Sequence, residues 1–367
     1  MGDARGWRRD DFKASVLAER CLRTRIVFAL RFPPTLELAP PPPRFLAAAT
    51  SDGSVGIHPI CRSPPISGIA ETTDELAKPW LSLAGHDGPA YGLLSFGEDG
   101  NKVLASCGDD GRIAIWRWND VLQRLGSDSS PDMQERPVLE MKIPQQRGQH
   151  GSLLPVAEAN GLAADAGTLF CAAGDGCAYG WDLETGQGSM VFQGHAGYLH
   201  CIASRPSQKQ LITGSEDGTC RIWDCRSGRC TAVLDPWNVQ RVARAKSRLP
   251  WVSCVAVDAS ENWMACGTGG GCVTLWNLPM VAAATRITTA GAPQDVAFTT
   301  DEIVVVGVQP HLSRFTFGGK LSSQVACAPL SSFAVSLHPS GVTAVGGHGG
   351  MVDVISSYGS HLCTFSC

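Results

Sequence analysis

The fold class that the sequence predicts is all-β: a seven-bladed β-propeller preceded by a short N-terminal helix. Three observations predict it. The chain of 367 residues holds 41 Gly and 23 Pro, with only 17% charged residues, against a usual charged share of ~25%. That is a turn-rich chain with much half-buried surface. A hydrophobic share of 44% at a net charge of −4 supports a packed core rather than disorder. The third observation is a recurring unit: Gly-His, a short apolar strand, a turn, a second strand, an Asp-Gly turn, and an alternating strand that ends in Trp.

In chain order, residues 1–23 read as a tail with a helix over Asp10 to Leu22. Asp10 is its N-cap, and Phe12, Val16, Leu17 and Cys21 share one face, which packs on the propeller or on a partner. The propeller is expected over 24–367, with Thr24 to Phe32 as its first strand. The unit is clearest from Leu83 to Trp118 and from Phe192 to Cys225, and it is the WD40 signature of four strands per blade. Weaker copies end at Trp181-Asp182 and Trp276-Asn277, while His58, Phe315 and Ile355 take the Trp place. The anchors at 58, 116, 181, 223, 276, 315 and 355 are spaced by 58, 65, 42, 53, 39 and 40. The two widest gaps imply long loops over 61–79 and 119–137, read as mobile excursions between third and fourth strands, the second with a short helix at DVLQRL. A third long loop spans 235–250. His361 to Phe365 closes blade seven.

Blade four carries a polar set. His195, Ser215 and Asp217 lie 28, 8 and 6 residues before Trp223, the spacing of the hydrogen-bonded tetrad of WD40 blades. Buried polar groups need such partners, so the expected role is structural rather than catalytic. Blade two keeps His86, Asp110 and Trp116 but has Gly108 at the Ser place, which predicts an incomplete network.

The 15 Cys follow the repeat. Cys171 and Cys266 each lie ten before their Trp, and Cys177 and Cys272 four before, on the two arms of one hairpin. They read as small core hydrophobes, with no zinc-type spacing. No nucleophile elbow, phosphate loop or H-E-x-x-H occurs, so no catalytic residue, metal or cofactor is expected. Gly267, Gly269, Gly270 and Gly271 lead into a strand, whereas a dinucleotide site needs a helix N-terminus. With 30 basic and 34 acidic residues, no basic field covers the fold, and no apolar run reaches membrane-spanning length.

Two features read as contacts. Leu211 to Arg226 fits the box of WD40 receptors of cullin-4 ubiquitin ligases, with Asp217, Trp223, Asp224 and Arg226 at its marked places. Arg226 would offer a planar fork to an adaptor; the alternative is that W-D-x-R serves the fold. Trp237 to Trp251 carries Arg241, Arg244, Lys246 and Arg248 without an acid. This insert would meet a protein partner or RNA, or be a solvated loop.

Several stretches resemble the family of subunit six of the THO complex: Ala84 to Ser95, Gly194 to Ala203, Ser215 to Gly228, Pro250 to Leu278 and Tyr358 to Ser366. The resemblance implies a nuclear, non-catalytic scaffold that holds helical, coiled-coil sibling subunits in the machinery linking transcription to mRNA export, with RNA met mainly through the complex. Plant members of that family also look like cullin-4 receptors linked to abscisic acid signalling, which implies the ligase adaptor as a further partner.

Overall fold

The computed structural model describes residues 13, 16, 20, 23–34, 41–60, 79–97, 102–125, 134–148, 151–165, 167–237 and 251–367. Seven antiparallel four-stranded sheets form a β-propeller. The blades span Val27–Leu83, Ala90–Lys142, Ala159–Gln193, Leu199–Leu234, Val252–Thr288, Pro293–Ala326 and Ser332–Ser366. Each blade is a simple meander of consecutive strands. Turns between second and third strands therefore gather with the blade-to-blade links on one face, here the upper face. The remaining turns lie on the lower face.

The second strand of a blade is sandwiched on both sides, so it reads as a near-continuous apolar run. Leu46–Thr50 and Leu104–Gly108 are wholly buried. Cores lie between blades rather than within them. Ile212, Cys220, Ile222 and Leu234 of blade four pack on Val252, Met264, Cys266 and Trp276 of blade five. Each fully buried Leu, Ile or Val side chain contributes roughly 1.5–3 kcal/mol, and seven such seams hold the ring.

Blades one and seven are each built from a single stretch of chain, so the ring closes without a shared sheet. Val27, Leu30 and Phe32 pack on Ala334, Ala344, Val352, Val354 and Phe365. Polar contacts add to this seam. The Gly350 N–H donates to the Arg25 carbonyl at 2.8 Å, and Arg25 Nη1 donates to the Cys367 carbonyl at 2.6 Å.

Both described ends of the excursion 119–137 are docked, where its composition suggests a mobile loop. Trp118–Leu125 is a helix that buries Trp118 and Val121 in the core shared by blades one and two. The Trp118 indole donates to Ser95 Oγ at 2.9 Å. Further on, Glu135 bridges to the outer strand of blade one: its N–H donates to the Ser82 carbonyl at 3.0 Å, and the Ala84 N–H donates to its carbonyl at 2.8 Å. The amphipathic helix and the unpaired edge of a short strand, Leu81–Leu83, explain this docking. Residues 126–133 and 61–78 lie outside the described residues. So does most of the segment expected as an N-terminal helix, of which Lys13, Val16 and Arg20 have helical backbone. No helix among the described residues is long and apolar enough to cross a membrane.

Candidate interaction surfaces

Blade four holds a relay of hydrogen bonds. Trp223 Nε1 donates to Thr213 Oγ1 at 2.8 Å, Thr213 bonds His195 Nε2 at 2.8 Å, and His195 Nδ1 bonds Asp217 Oδ2 at 2.8 Å. The consistent assignment has the Thr213 hydroxyl donating to Nε2 and Nδ1–H donating to the carboxylate. Burial favours neutral His195 and lowers its pKa, against the pull of Asp217. Burial also works to raise the Asp217 carboxyl, but hydrogen bonds from Thr219, His195 and the backbone hold it down at about 2.

The hydroxyl in this relay is Thr213, not the expected Ser215. Leu211 faces Trp223 across the strands, so the indole reaches the next residue on the same face, which is Thr213. Ser215 sits at the turn instead, donating to the Gly197 carbonyl at 3.1 Å and accepting from the Asp217 N–H at 3.1 Å. Blade two is corrected in the same way. Its missing hydroxyl is Ser106, 2.8 Å from His86 Nε2, while His86 Nδ1 lies 3.0 Å from Asp110. There the Trp116 indole turns away to the Glu135 carbonyl at 3.2 Å.

The position ten before the anchor supplies the hydroxyl that meets the His in blades two and four. It is Ala48, Ser106, Cys171, Thr213, Cys266, Val305 and Val345 in blades one to seven. Blade five has Cys266 there, and Trp276 Nε1 is buried without a partner.

The four residues of the proposed adaptor box do not share a surface. Trp223 is 1% exposed, and Asp217 belongs to the upper turn through its bonds to His195, Ala196 and Thr219. Asp224 lies at the other end of the strand and caps its own turn, accepting from the Arg226 N–H at 3.0 Å and from Ser227 Oγ at 2.7 Å. Arg226 is exposed on the lower face.

Arg241, Arg244, Lys246 and Arg248 lie outside the described residues, but both ends of their insert are placed. A Cβ on Gly270 would stand 2.3 Å from the Trp237 ring, and one on Gly269 would stand 2.5 Å from the Trp251 ring. The glycine run is the seat of two indoles. Arg286 lies over the Trp237 ring at 5.0 Å from its centroid. The insert therefore leaves and re-enters the upper face at one turn of blade five.

A second part of the upper face was not legible in the sequence. Around the channel mouth, Tyr91 Oη donates to Asp109 Oδ1 at 3.0 Å, and Tyr198 hydrogen-bonds Glu158. Burial and then the bond to Asp109 push the Tyr91 phenol up to about 12. These residues are up to 107 positions apart, from Tyr91 to Tyr198: Tyr91 and Asp109 lie in the first strand and upper turn of blade two, and Glu158 and Tyr198 just before the first strands of blades three and four. No group of His, Cys, Asp or Glu suited to a metal ion occurs among the described residues.

The model of the family "WD domain, G-beta repeat" matches residues 77–117, 186–224 and 245–277. The chain is 43% identical to THO complex subunit 6 of Arabidopsis thaliana, over 99% of this chain and 98% of that protein. It is 29% identical to THO complex subunit 6 of Homo sapiens, over 86% of this chain and 87% of that one. The chain belongs to the THO complex subunit 6 family. A designed protein, Ika8, shares the fold at a TM-score of 0.57 and 18% identity, covering 89% of this chain and 82% of that one. Within the THO complex subunit 6 family, the match extends through blades six and seven. There Phe315 and Ile355 stand in the Trp place, beyond the last residues that the repeat model matches, 245–277.

Proposed function

We propose that the chain is a non-catalytic scaffold subunit of a THO-type complex, acting in the nucleus to couple transcription to mRNA processing and export. The observation that carries this reading is the 43% identity to Arabidopsis THO complex subunit 6 over nearly the whole of both chains. The architecture supports it: a rigid ring offers two faces and a rim to several partners at once. Sibling subunits with helical, coiled-coil segments are the partners, and RNA is met mainly through them. The segment expected as an N-terminal helix packs on the propeller or on such a partner. The basic quartet Arg241, Arg244, Lys246 and Arg248 is a contact for a partner subunit or RNA, offered from the two seated indoles.

The test is native purification of the tagged chain from nuclear extract. Sibling THO subunits should elute in stoichiometric amounts. A preparation in which they are absent overturns the reading. Arg226 is the accessible member of the adaptor box. Arg226→Ala should leave the melt within ~0.5 kcal/mol of wild type, and recovery of a cullin-4 adaptor by wild type alone would assign it a docking role. An adaptor that binds neither protein, or both equally, removes that role and leaves the scaffold reading intact.

A further inference from the structure

In the link from blade two to blade three, on the upper face, residues 143–148 and 151–158 are tied to one another. The Gly148 N–H donates to the Ser152 carbonyl at 2.8 Å, and the Leu154 N–H donates to the Gln146 carbonyl at 3.0 Å. Arg147 and Leu153 form an antiparallel bridge. Gln145 Nε2 donates to the Leu154 carbonyl at 2.7 Å, and Gln146 Nε2 donates to Asp175 at 2.7 Å. Yet this fixed loop leaves Leu153 63%, Leu154 43% and Val156 40% exposed. Ordering a backbone costs free energy, and these three apolar side chains return only part of what full burial would give while they face water. Held on one loop, these side chains are open to a partner.

The surroundings of the loop say what covers it. Val156 lies against Gly111, in the turn that also holds Asp109 and Asp110. Two residues on, the Glu158 carboxylate and the Tyr198 phenol meet over Gly174, where a Cβ would stand 2.2 Å and 2.7 Å from them. Tyr91 holds Asp109 in the neighbouring blade. Asp109, Asp175 and Glu216 are exposed, and the Asp87 side chain is 93% exposed. Of the bases here, Arg112 is already held by Asp110 at 2.7 Å and faces Asp87 at 3.7 Å, while Arg147 is exposed on the loop itself beside Leu153.

We propose that this face docks a Lys/Arg-rich segment of a partner protein. Apolar residues of the segment lie on Leu153, Leu154 and Val156, and a cationic side chain enters the channel mouth between Asp109 and Glu158, against the rings of Tyr91 and Tyr198. Carboxylates bind a guanidinium fork through charge-assisted hydrogen bonds, and tyrosine faces attract cations. The same acids repel nucleic acid, which sets this face apart from the basic insert. The inference stands on the geometry of the face and not on which complex the chain joins.

The test is fluorescence anisotropy with a fluorescein-labelled synthetic peptide in which a Leu-Leu pair precedes an Arg run. Two control peptides carry Gln for each Arg or Ser for each Leu. The wild-type protein should bind the first peptide saturably, with an affinity that falls as salt rises. Two double variants, Leu153→Ser with Leu154→Ser and Asp109→Asn with Glu158→Gln, should each weaken binding roughly tenfold, the scale of a lost interface anchor. Thermal melts of both variants that match wild type confirm that the fold is not the cause. The proposal falls if the peptide does not saturate the wild type, or if the control peptides or the variants bind as well. It also falls if sedimentation of the protein alone shows a dimer that Leu153→Ser with Leu154→Ser dissolves, because the occupant is then a second copy of this chain.

Discussion

Trp223 and Thr213 lie diagonally across adjacent strands of blade four, with the indole N–H donating to the hydroxyl at 2.8 Å. Both are buried, so neither can exchange its partner for water. The pair is the inner half of the relay that ends at Asp217.

Thr213→Val keeps the shape and removes the hydroxyl. It leaves the Trp223 N–H and His195 Nε2 without partners, and a loss of about 2–4 kcal/mol is expected for two such groups. Ser215→Ala breaks contacts at the turn and should cost less, about 1 kcal/mol. Chemical denaturation of the two variants checks the order. A larger loss from Ser215→Ala would restore Ser215 to the relay.

Cys266 takes the Thr213 position in blade five, where Trp276 Nε1 has no partner. Cys266→Ser places an oxygen there at nearly unchanged volume. A gain of ~1 kcal/mol is expected, the usual net worth of a hydrogen bond. A fall in thermal midpoint would show that the hydroxyl does not reach the indole.

His58 takes the Trp place in blade one and stacks on Phe365 at 5.5 Å. Burial first, and then Arg25, lowers its pKa from 6.5 to about 4. The folded state therefore holds neutral His58 while the unfolded chain takes up a proton. Stability from this group is fully present above pH 6.5 and falls as pH drops towards about 4, by roughly 3 kcal/mol. His58→Phe should remove one proton from the pH dependence of unfolding in this window. Parallel stability–pH curves for the two proteins would contradict the assignment.

Arg25 ties the two ends of the ring. Its Nη1 donates to the Cys367 carbonyl at 2.6 Å, and its Nη2 lies 2.5 Å from Asp52 Oδ2. Arg25→Ala should cost about 1–2 kcal/mol, since both groups are partly solvated. Hydrogen exchange should quicken first at Gly350 and Cys367, whose amides belong to this seam. Unchanged exchange at those amides would place the closure in the apolar packing alone.

Gly270 has no Cβ because the Trp237 ring fills that space. Gly270→Ala should expel the indole at a cost of about 1–3 kcal/mol, as overpacked sites do. Tryptophan emission should shift to the red, and protease cleavage within 238–250 should accelerate. If both stay as in wild type, the insert is not anchored by this turn.

The sequence by itself determined the blade count, the meander and the family. Each depends on local periodicity: an Asp-Gly turn and an alternating strand repeat wherever the chain reverses, and Leu83 to Trp118 shows them without any contact known. The N-terminal and C-terminal strands, Val27–Arg31 and His361–Ser366, were legible on the same ground. Only the tertiary structure decided which polar groups meet. Ser215 and Thr213 share a strand face, and the choice between them came from the register that sets Leu211 against Trp223. The docking of Glu135 on blade one, the seating of Trp237 and Trp251 on two glycines, and the meeting of Glu158 with Tyr198 join residues of different blades or loops. Turn chemistry acts over a few residues and leaves a mark in the sequence. Closure of the ring acts between residues far apart in the chain, and nothing in the spacing of one blade encodes which side chains of the next will face it.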